Sequence, residues 1–212
     1  SLTNRRAGPP TRYAYIAPTR DQAKDIAWGY LTEFAGPIPG TKLNQQELSI
    51  TLHNKASIRL YSGDSYERMR GLYFDGVVID EPADIDPDAW PSVIRPCLSD
   101  YNGWATFIGT PKGPNSFYEI WQKAQKDPDW FSLVLKASET AIIPEHELAA
   151  LRMSMSVDEY KQELECSFEA AVKGAYYAGE LERAKDAGRI CRVPVDRFAE
   201  VHTSWDLGIR DQ

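Results

Sequence analysis

No stretch of the chain comes near the roughly 20 consecutive apolar residues that a membrane helix needs, and no charged-then-apolar leader opens it. The expectation is therefore a soluble, unsecreted protein. Cysteine is scarce: Cys97, Cys166 and Cys191 are odd in number and far apart, which suits neither a disulfide framework nor zinc-ligand spacing. They are read as isolated thiols in a reducing compartment. His53, His146 and His202 are equally scattered, and none is assigned a metal. Positive charge is in deficit, with 24 Lys and Arg against 31 Asp and Glu, a net charge of −7. That balance excludes a surface basic all over, as in many nucleic-acid binders, but leaves room for a local basic track. No G-x-x-x-x-G-K-[ST] loop occurs, the element whose backbone N–H groups cradle nucleotide phosphates. Gly109 to Gly113 contains Lys112, but its spacing is wrong and Pro111 removes a donor.

What is present is ordinary globular material. Apolar residues make up 42% and charged residues 26% of 212 positions, enough for an α/β domain and the start of another. Tyr13 to Ala17 is a short apolar run and predicts a buried strand. Thr19-Arg-Asp-Gln22 has the form of a capping box, and Ala23, Ile26, Ala27, Tyr30, Leu31 and Phe34 follow at helical spacing. Gly36-Pro-Ile-Pro-Gly40 closes that helix. Leu48, Ile50 and Leu52, then Ile58 and Leu60, alternate with polar residues around a turn at His53-Asn54-Lys55, which predicts a hairpin. Val77 to Glu81 and Thr106 to Pro111 are aliphatic runs that each end abruptly. A helix is predicted from Phe117 to Ala124 and a further buried strand from Phe131 to Leu135. Near-continuous apolar strands separated by helices imply an α/β sheet covered on both faces.

From Pro144 the pattern turns helical. Leu148, Leu151 and Met155 share a face, and Ser156-Val-Asp-Glu159 is a second capping box ahead of Tyr160, Leu164 and Phe168. Val201 to Trp205 begins another apolar run that ends at Asp206.

Asp80 and Glu81 are the strongest chemical signal. A buried strand delivers both carboxylates to the carboxyl edge of a sheet, where open α/β folds bind ligands. An aspartate there can hold Mg²⁺ by way of its water shell, and the next glutamate can orient a water against a γ-phosphate. The plainer alternative is that the two simply begin a polar loop. Between Asp75 and Asp100 lie seven acidic residues and one basic one, Arg95, so phosphates would be repelled there unless a metal or arginine compensated. Arg68 and Arg70 supply two guanidinium groups suited to phosphate oxygens, or else a solvated pair balancing Asp64, Glu67 and Asp75. Thr110, after the second run, is either a γ-phosphate sensor or part of a simple turn. Asp206 repeats the layout of an apolar strand ending in a carboxylate, where a two-metal nuclease would need several such groups.

In order and spacing these pieces resemble the large terminase subunit of tailed bacteriophages, the DNA-packaging motor. The resemblance rests on Tyr15-Ile-Ala-Pro-Thr-Arg20, Arg68-Met-Arg-Gly71, a Walker B-like Val77-Val-Ile-Asp-Glu81, a coupling-motif-like Gly109-Thr-Pro-Lys-Gly113, Tyr160 to Phe168 with Gly174, and Trp205-Asp-Leu-Gly208. It implies an α/β P-loop NTPase fold of the RecA or ASCE kind, with a mostly parallel sheet and flanking helices. A helical linker and the first strand of an RNase H-like nuclease would follow. The implied boundaries are 1–140 for part of the ATPase domain, 141–195 for the linker and 196–212 for the nuclease start.

By the same resemblance, Asp80 matches the metal-associated carboxylate, Glu81 the catalytic base and Thr110 the coupling residue. Arg68 or Arg70 would act on a neighbouring subunit's ATP, and Asp206 would be the first nuclease metal ligand. The implied cofactors are ATP with Mg²⁺ at the motor site and Mg²⁺ or Mn²⁺ at the nuclease. The implied partners are double-stranded DNA, the portal protein, a small terminase subunit and further copies in a five-membered ring, in the host bacterial cytoplasm. The phosphate loop is expected upstream of Tyr13 and the other nuclease carboxylates beyond Gln212, so this chain alone is expected to turn over negligible ATP. The competing readings are a helicase-like translocase and a non-catalytic α/β scaffold or binding module.

Overall fold

Strand β1 (Arg12–Ala17), the apolar run that begins near Tyr13, lies inside a six-stranded mixed sheet of order β2-β3-β4-β1-β5-β6 in the computed structural model. Residues 8–168 and 183–191 are described. Gly174 and the Asp206 run therefore lie outside the described residues. The chain divides into two compact units, residues 1–172 and 173–212. In the second, residues 183–186 are helical. The first holds the sheet and the two helices predicted after Pro144.

Parallel pairing joins β1 to β4 (Ser57–Ser62) and to β5 (Gly76–Asp80), and β5 to β6 (Trp104–Ile108). The predicted hairpin is present as β3 (Ser49–Thr51) antiparallel to β4. A short outer strand, β2 (Lys42–Asn44), was not legible in the sequence because all three residues are exposed and carry no alternation.

Alternation assigns one sheet face to Ala14, Ile16, Val77 and Ile79. These pack with Phe74, Met69, Val93, Ile94 and Leu98 from the connections into the main core. The opposite face carries Tyr15, Ala17 and Leu60. Over it runs a helical segment made of α1 (Arg20–Ala23), a π-helical stretch (Lys24–Trp28) and α2 (Gly29–Ala35). The Thr19 capping box forms as predicted, its hydroxyl accepting from the Gln22 N–H.

The structure corrects three expectations. Ile26, Tyr30 and Phe34 do not face the core but are 47%, 65% and 73% exposed. A π-helical turn takes an extra residue; Ala23, Ala27 and Leu31 of the predicted set do turn inward, joined by Ala35. The predicted strand Phe131–Leu135 does not form: Phe131 is 85% exposed, and no ladder joins this run to β6. An apolar run becomes a strand only where a neighbour offers backbone partners; here Trp130 instead stacks on Phe107 at 5.9 Å between ring centroids. Finally, the sheet is not covered on both faces throughout. Over β6 the second face leaves Trp104 and Ile108 about half exposed, with the Trp104 indole lying across Gly76.

The remaining helices are the single turn α3 (Arg95–Cys97), α4 (Ser116–Ala124), α5 (Ala137–Thr140), α6 (Glu145–Ser154) and α7 (Val157–Glu163). α4 is capped by Asn115, and α7 by the predicted Ser156 capping box. Phe168 closes on Phe117, Tyr118 and Trp121, with ring centroids 5.0–5.9 Å apart. Phe74 joins the connection after the Gly63–Met69 turn to β1 and β5, edge-on to Tyr61 at 5.6 Å. Phe74→Ala is expected to cost about 3–5 kcal/mol through the cavity it leaves, read as a lowered midpoint in urea denaturation.

Candidate functional site

The carboxyl end of β5 carries Asp80 on the same face as Tyr15 of β1, the neighbouring strand. The Tyr15 hydroxyl donates a hydrogen bond to the Asp80 carboxylate. Burial, and then this bond to a negative partner, push the Tyr15 phenol well above its ordinary pKa, so it stays a donor. A phenol held this way fixes the carboxylate's position without neutralising it.

Glu81 follows in a left-handed backbone conformation, φ 46° and ψ 55°, which a non-glycine residue adopts at a cost. Its N–H donates to the Ile108 carbonyl at 2.8 Å, extending the β5–β6 ladder by one bond, which holds it there. Pro82 comes next and disfavours the right-handed helical alternative without itself favouring the left-handed one. The neighbouring loop passes so close that a Cβ on Gly109 would lie 3.2 Å from the Glu81 Cα and 3.0 Å from the Pro82 Cδ. Glycine is required there for the approach itself.

That approach brings the two loops into chemical contact. The Thr110 backbone hydrogen-bonds to the Glu81 carboxylate. The Lys112 ammonium sits 2.5 Å from Asp84 Oδ2 and 3.9 Å from Glu81 Oε2. Burial raises the Glu81 pKa, and Lys112 and the Thr110 bond oppose it only in part. Glu81 Oε2 is buried with no hydrogen-bond partner among the described residues. The arrangement is thus a fixed aspartate beside a glutamate with one uncommitted oxygen and an elevated proton affinity, the properties of a base that orients and deprotonates a water.

Comparison with known proteins gives this edge its context. Residues 3–184 match the family described as terminase large subunit, T4likevirus-type, N-terminal. The chain belongs to that family. It is 34% identical over 134 residues to the large terminase subunit of Thermus virus P23-45, covering 54% of this chain and 27% of that protein. It thus spans about a quarter of that relative's length. The fold is similar to the large terminase ATPase domain of Thermus phage P74-26, at 27% identity and a TM-score of 0.64, covering 76% of this chain and 77% of that one. It is also similar in fold to the large terminase of another thermophilic bacteriophage in complex with ADP, at 14% identity and a TM-score of 0.59, over 74% of this chain and 40% of that one. The expected α/β sheet of P-loop ATPase type is therefore the fold of this terminase chain.

Within it the residues singled out from sequence are distributed unevenly. Asp80, Glu81 and Thr110 meet at one sheet edge. Arg70 does not join them: its guanidinium pairs with Glu67 through two bonds of 2.8 and 2.9 Å, the solvated pairing considered as its alternative. Arg68 has no hydrogen-bond or ion-pair partner among the described residues. Asp206 lies outside them. Sequence reasoning missed Tyr15, Asp84 and Lys112 at the site. Tyr15 reads as core in an apolar run, and Lys112 was set aside for failing the spacing of a phosphate loop.

Oxygen donors without sulfur or imidazole suit Mg²⁺, which takes one or two carboxylates and completes its shell with water and substrate phosphates. The Asp80 carboxylate, fixed by Tyr15, fits that requirement. Among the described residues no group of three or more metal-ligating side chains forms an all-protein cage.

Because burial holds the Glu81 pKa above its unfolded value, its contribution to stability is fully present at low pH. It is lost as pH rises through the raised folded-state pKa. Glu81→Gln is therefore expected to gain stability relative to the parent between pH 4 and pH 7, measured as the difference between their denaturation midpoints at the two pH values.

Proposed function

We propose that this chain forms the carboxylate wall of the ATPase site in a viral DNA-packaging motor. In that role ATP hydrolysis drives double-stranded DNA into a procapsid. The observation that carries the proposal is the meeting of Asp80, Glu81 and Thr110 at the end of the β5–β6 ladder in a chain of the large terminase family. The complexes of the thermophilic-phage terminase with ADP and with ATP-γ-S support a nucleotide at this fold.

Asp80, oriented by Tyr15, would hold Mg²⁺. Magnesium supplies, when bound, compensation for the negative charge of phosphates brought beside an acidic edge. Glu81 takes the proton of the attacking water on its uncommitted oxygen. Burial raises its basicity, and Lys112 keeps the ionised form tolerable. Thr110 reads the outcome, because its backbone is bonded to the base whose partner changes on hydrolysis. The same bond joins the loop after β6 to the catalytic edge, a route by which hydrolysis reaches α4.

By the family resemblance, Asp206 would supply the first ligand for Mg²⁺ or Mn²⁺ in an RNase H-like nuclease that cuts the DNA concatemer. The partners of the working motor are double-stranded DNA, the portal protein, a small terminase subunit and further copies in a five-membered ring, in the cytoplasm of the bacterial host.

In the subunit at its full encoded length, Glu81→Gln is expected to lower ATP turnover by about 10²–10⁴-fold, the range of general-base catalysis, with ATP affinity retained. Asp206→Ala is expected to spare ATP turnover and abolish DNA cleavage. Unchanged turnover in Glu81→Gln overturns the assignment of the base, and cleavage surviving in Asp206→Ala overturns that of the nuclease ligand. Steady-state ATPase kinetics, nucleotide titration and a plasmid-cutting assay read the three quantities.

A further inference from the structure

A cavity of about 750 Å³, whose lining includes neither Asp80 nor Glu81, lies on the sheet face of β3 and β4 beside the turn Gly63–Met69. Four arginines line it: Arg12, Arg20, Arg59 and Arg68. Among the described residues Glu47 is the one acidic side chain in its lining, and it is committed to an ion pair with Arg59. In a chain of net charge −7 this concentration of guanidinium groups is a local reversal of sign. The four come from separate stretches of sequence, and the fold brings them together.

The arginines are also held in place. The Arg12 guanidinium lies 4.4 Å from the centroid of the Tyr73 ring, and that of Arg59 lies 5.3 Å from the Tyr61 ring. Arg20 donates to the Gln46 carbonyl at 2.6 Å. Arg12 and Arg59 stand on adjacent strands, where Arg12 pairs in register with Ser57, which places their Cα atoms roughly 8 Å apart. Stacking limits the rotamer freedom lost on binding. Arg59 and Arg20 also spend guanidinium donors on Glu47 and on the Gln46 carbonyl, so Arg12 and Arg68 are the members best placed to meet a phosphate. Arg68 is exposed and has no hydrogen-bond or ion-pair partner among the described residues. The hydroxyls of Ser49 and Ser57 add short donors to the same lining.

We propose that this groove grips the phosphodiester backbone of double-stranded DNA, a step that rests on the packaging-motor reading and names where that motor holds its cargo. Arginines and small hydroxyls contact phosphate oxygens without reading bases, which is what an engine that moves DNA of any sequence needs. The acidic edge at Asp80 to Asp88 repels a polyanion, so the field of the molecule steers the duplex to the arginine face. A shallow groove on a sheet admits one backbone ridge and offers no slot for a nucleobase, since Tyr61 is occupied by Arg59 and Phe74 is buried.

The test uses the subunit at its full encoded length, without nucleotide, titrated against a fluorescein-labelled duplex of random sequence, about 30 base pairs long, across the salt range of roughly 50 to 200 mM over which phosphate contacts weaken. Fluorescence anisotropy gives the affinity at each salt concentration. Arg68→Ala is expected to weaken binding equally for unrelated sequences. It should reduce the slope of log K against log salt by about 0.9, one phosphate contact, and Arg12→Ala with Arg68→Ala by about twice that. Arg68→Lys, which keeps the charge, should retain most of the slope. Unchanged melting temperatures show that the variants fold.

A parent protein that does not bind the duplex overturns the proposal, as do alanine variants with the parent's affinity and slope. It is equally overturned if Arg68→Ala leaves DNA affinity intact and instead stops ATP turnover in the assembled ring, because Arg68 then serves a neighbour's nucleotide. Failure of the ATPase reading is separate: it appears as unchanged turnover in Glu81→Gln, whatever the duplex titration gives.

Discussion

The parallel ladder between β5 and β6 is the constraint on which the candidate site depends. Its last bond, from the Glu81 N–H to the Ile108 carbonyl, locks the exits of two loops side by side. A left-handed glutamate costs on the order of 1–3 kcal/mol, and that cost is offset by the ladder bond, with the close approach permitted by the absence of a side chain at Gly109. Move the two loops apart by one side-chain diameter and the contacts of Thr110 and Lys112 with Glu81 are lost together. The acid–base properties of the edge are therefore consequences of backbone geometry before they are consequences of charge.

Charge then divides the molecule. The carboxylates after β5 gather on one edge, while arginines from β1, its following helix, β4 and the Gly63–Met69 turn collect along a different groove. A net charge of −7 describes neither region. On the proposed motor reading, such separation would keep a triphosphate and a duplex from competing for the same cations. Lys112 marks the boundary on the acidic side. It is shared between Asp84 and Glu81, and hydrogen bonding to Asp84, more than any other influence, raises its pKa.

Local features were the legible ones. The capping boxes at Thr19 and Ser156 formed because each needs only a few consecutive residues. The hairpin formed because its alternation and its turn agree. The Asp80-Glu81 pair stood out because an aliphatic strand that stops at two carboxylates delivers them to a sheet edge by its own direction. What failed required information from further away. The π-helical turn at Lys24–Trp28 rotated Ile26, Tyr30 and Phe34 away from the core that helical spacing assigned them. Phe131 to Leu135 had a strand's composition and no strand to pair with. Tyr15 looked like core filling until β1 and β5 were set beside each other in register.

The sequence by itself determined most of the strands and helices of this terminase chain, its acidic edge and the family to which its motifs point, since each resides in a few neighbouring residues. Only the tertiary structure decided what surrounds those residues. The Tyr15–Asp80 bond spans 65 positions, Lys112–Asp84 spans 28, and the arginine groove draws on separate stretches of chain. Hydrogen bonds and ion pairs act over a few ångströms of space and are indifferent to separation along the chain, so the neighbours that set a site's chemistry appear only once the sheet has its register.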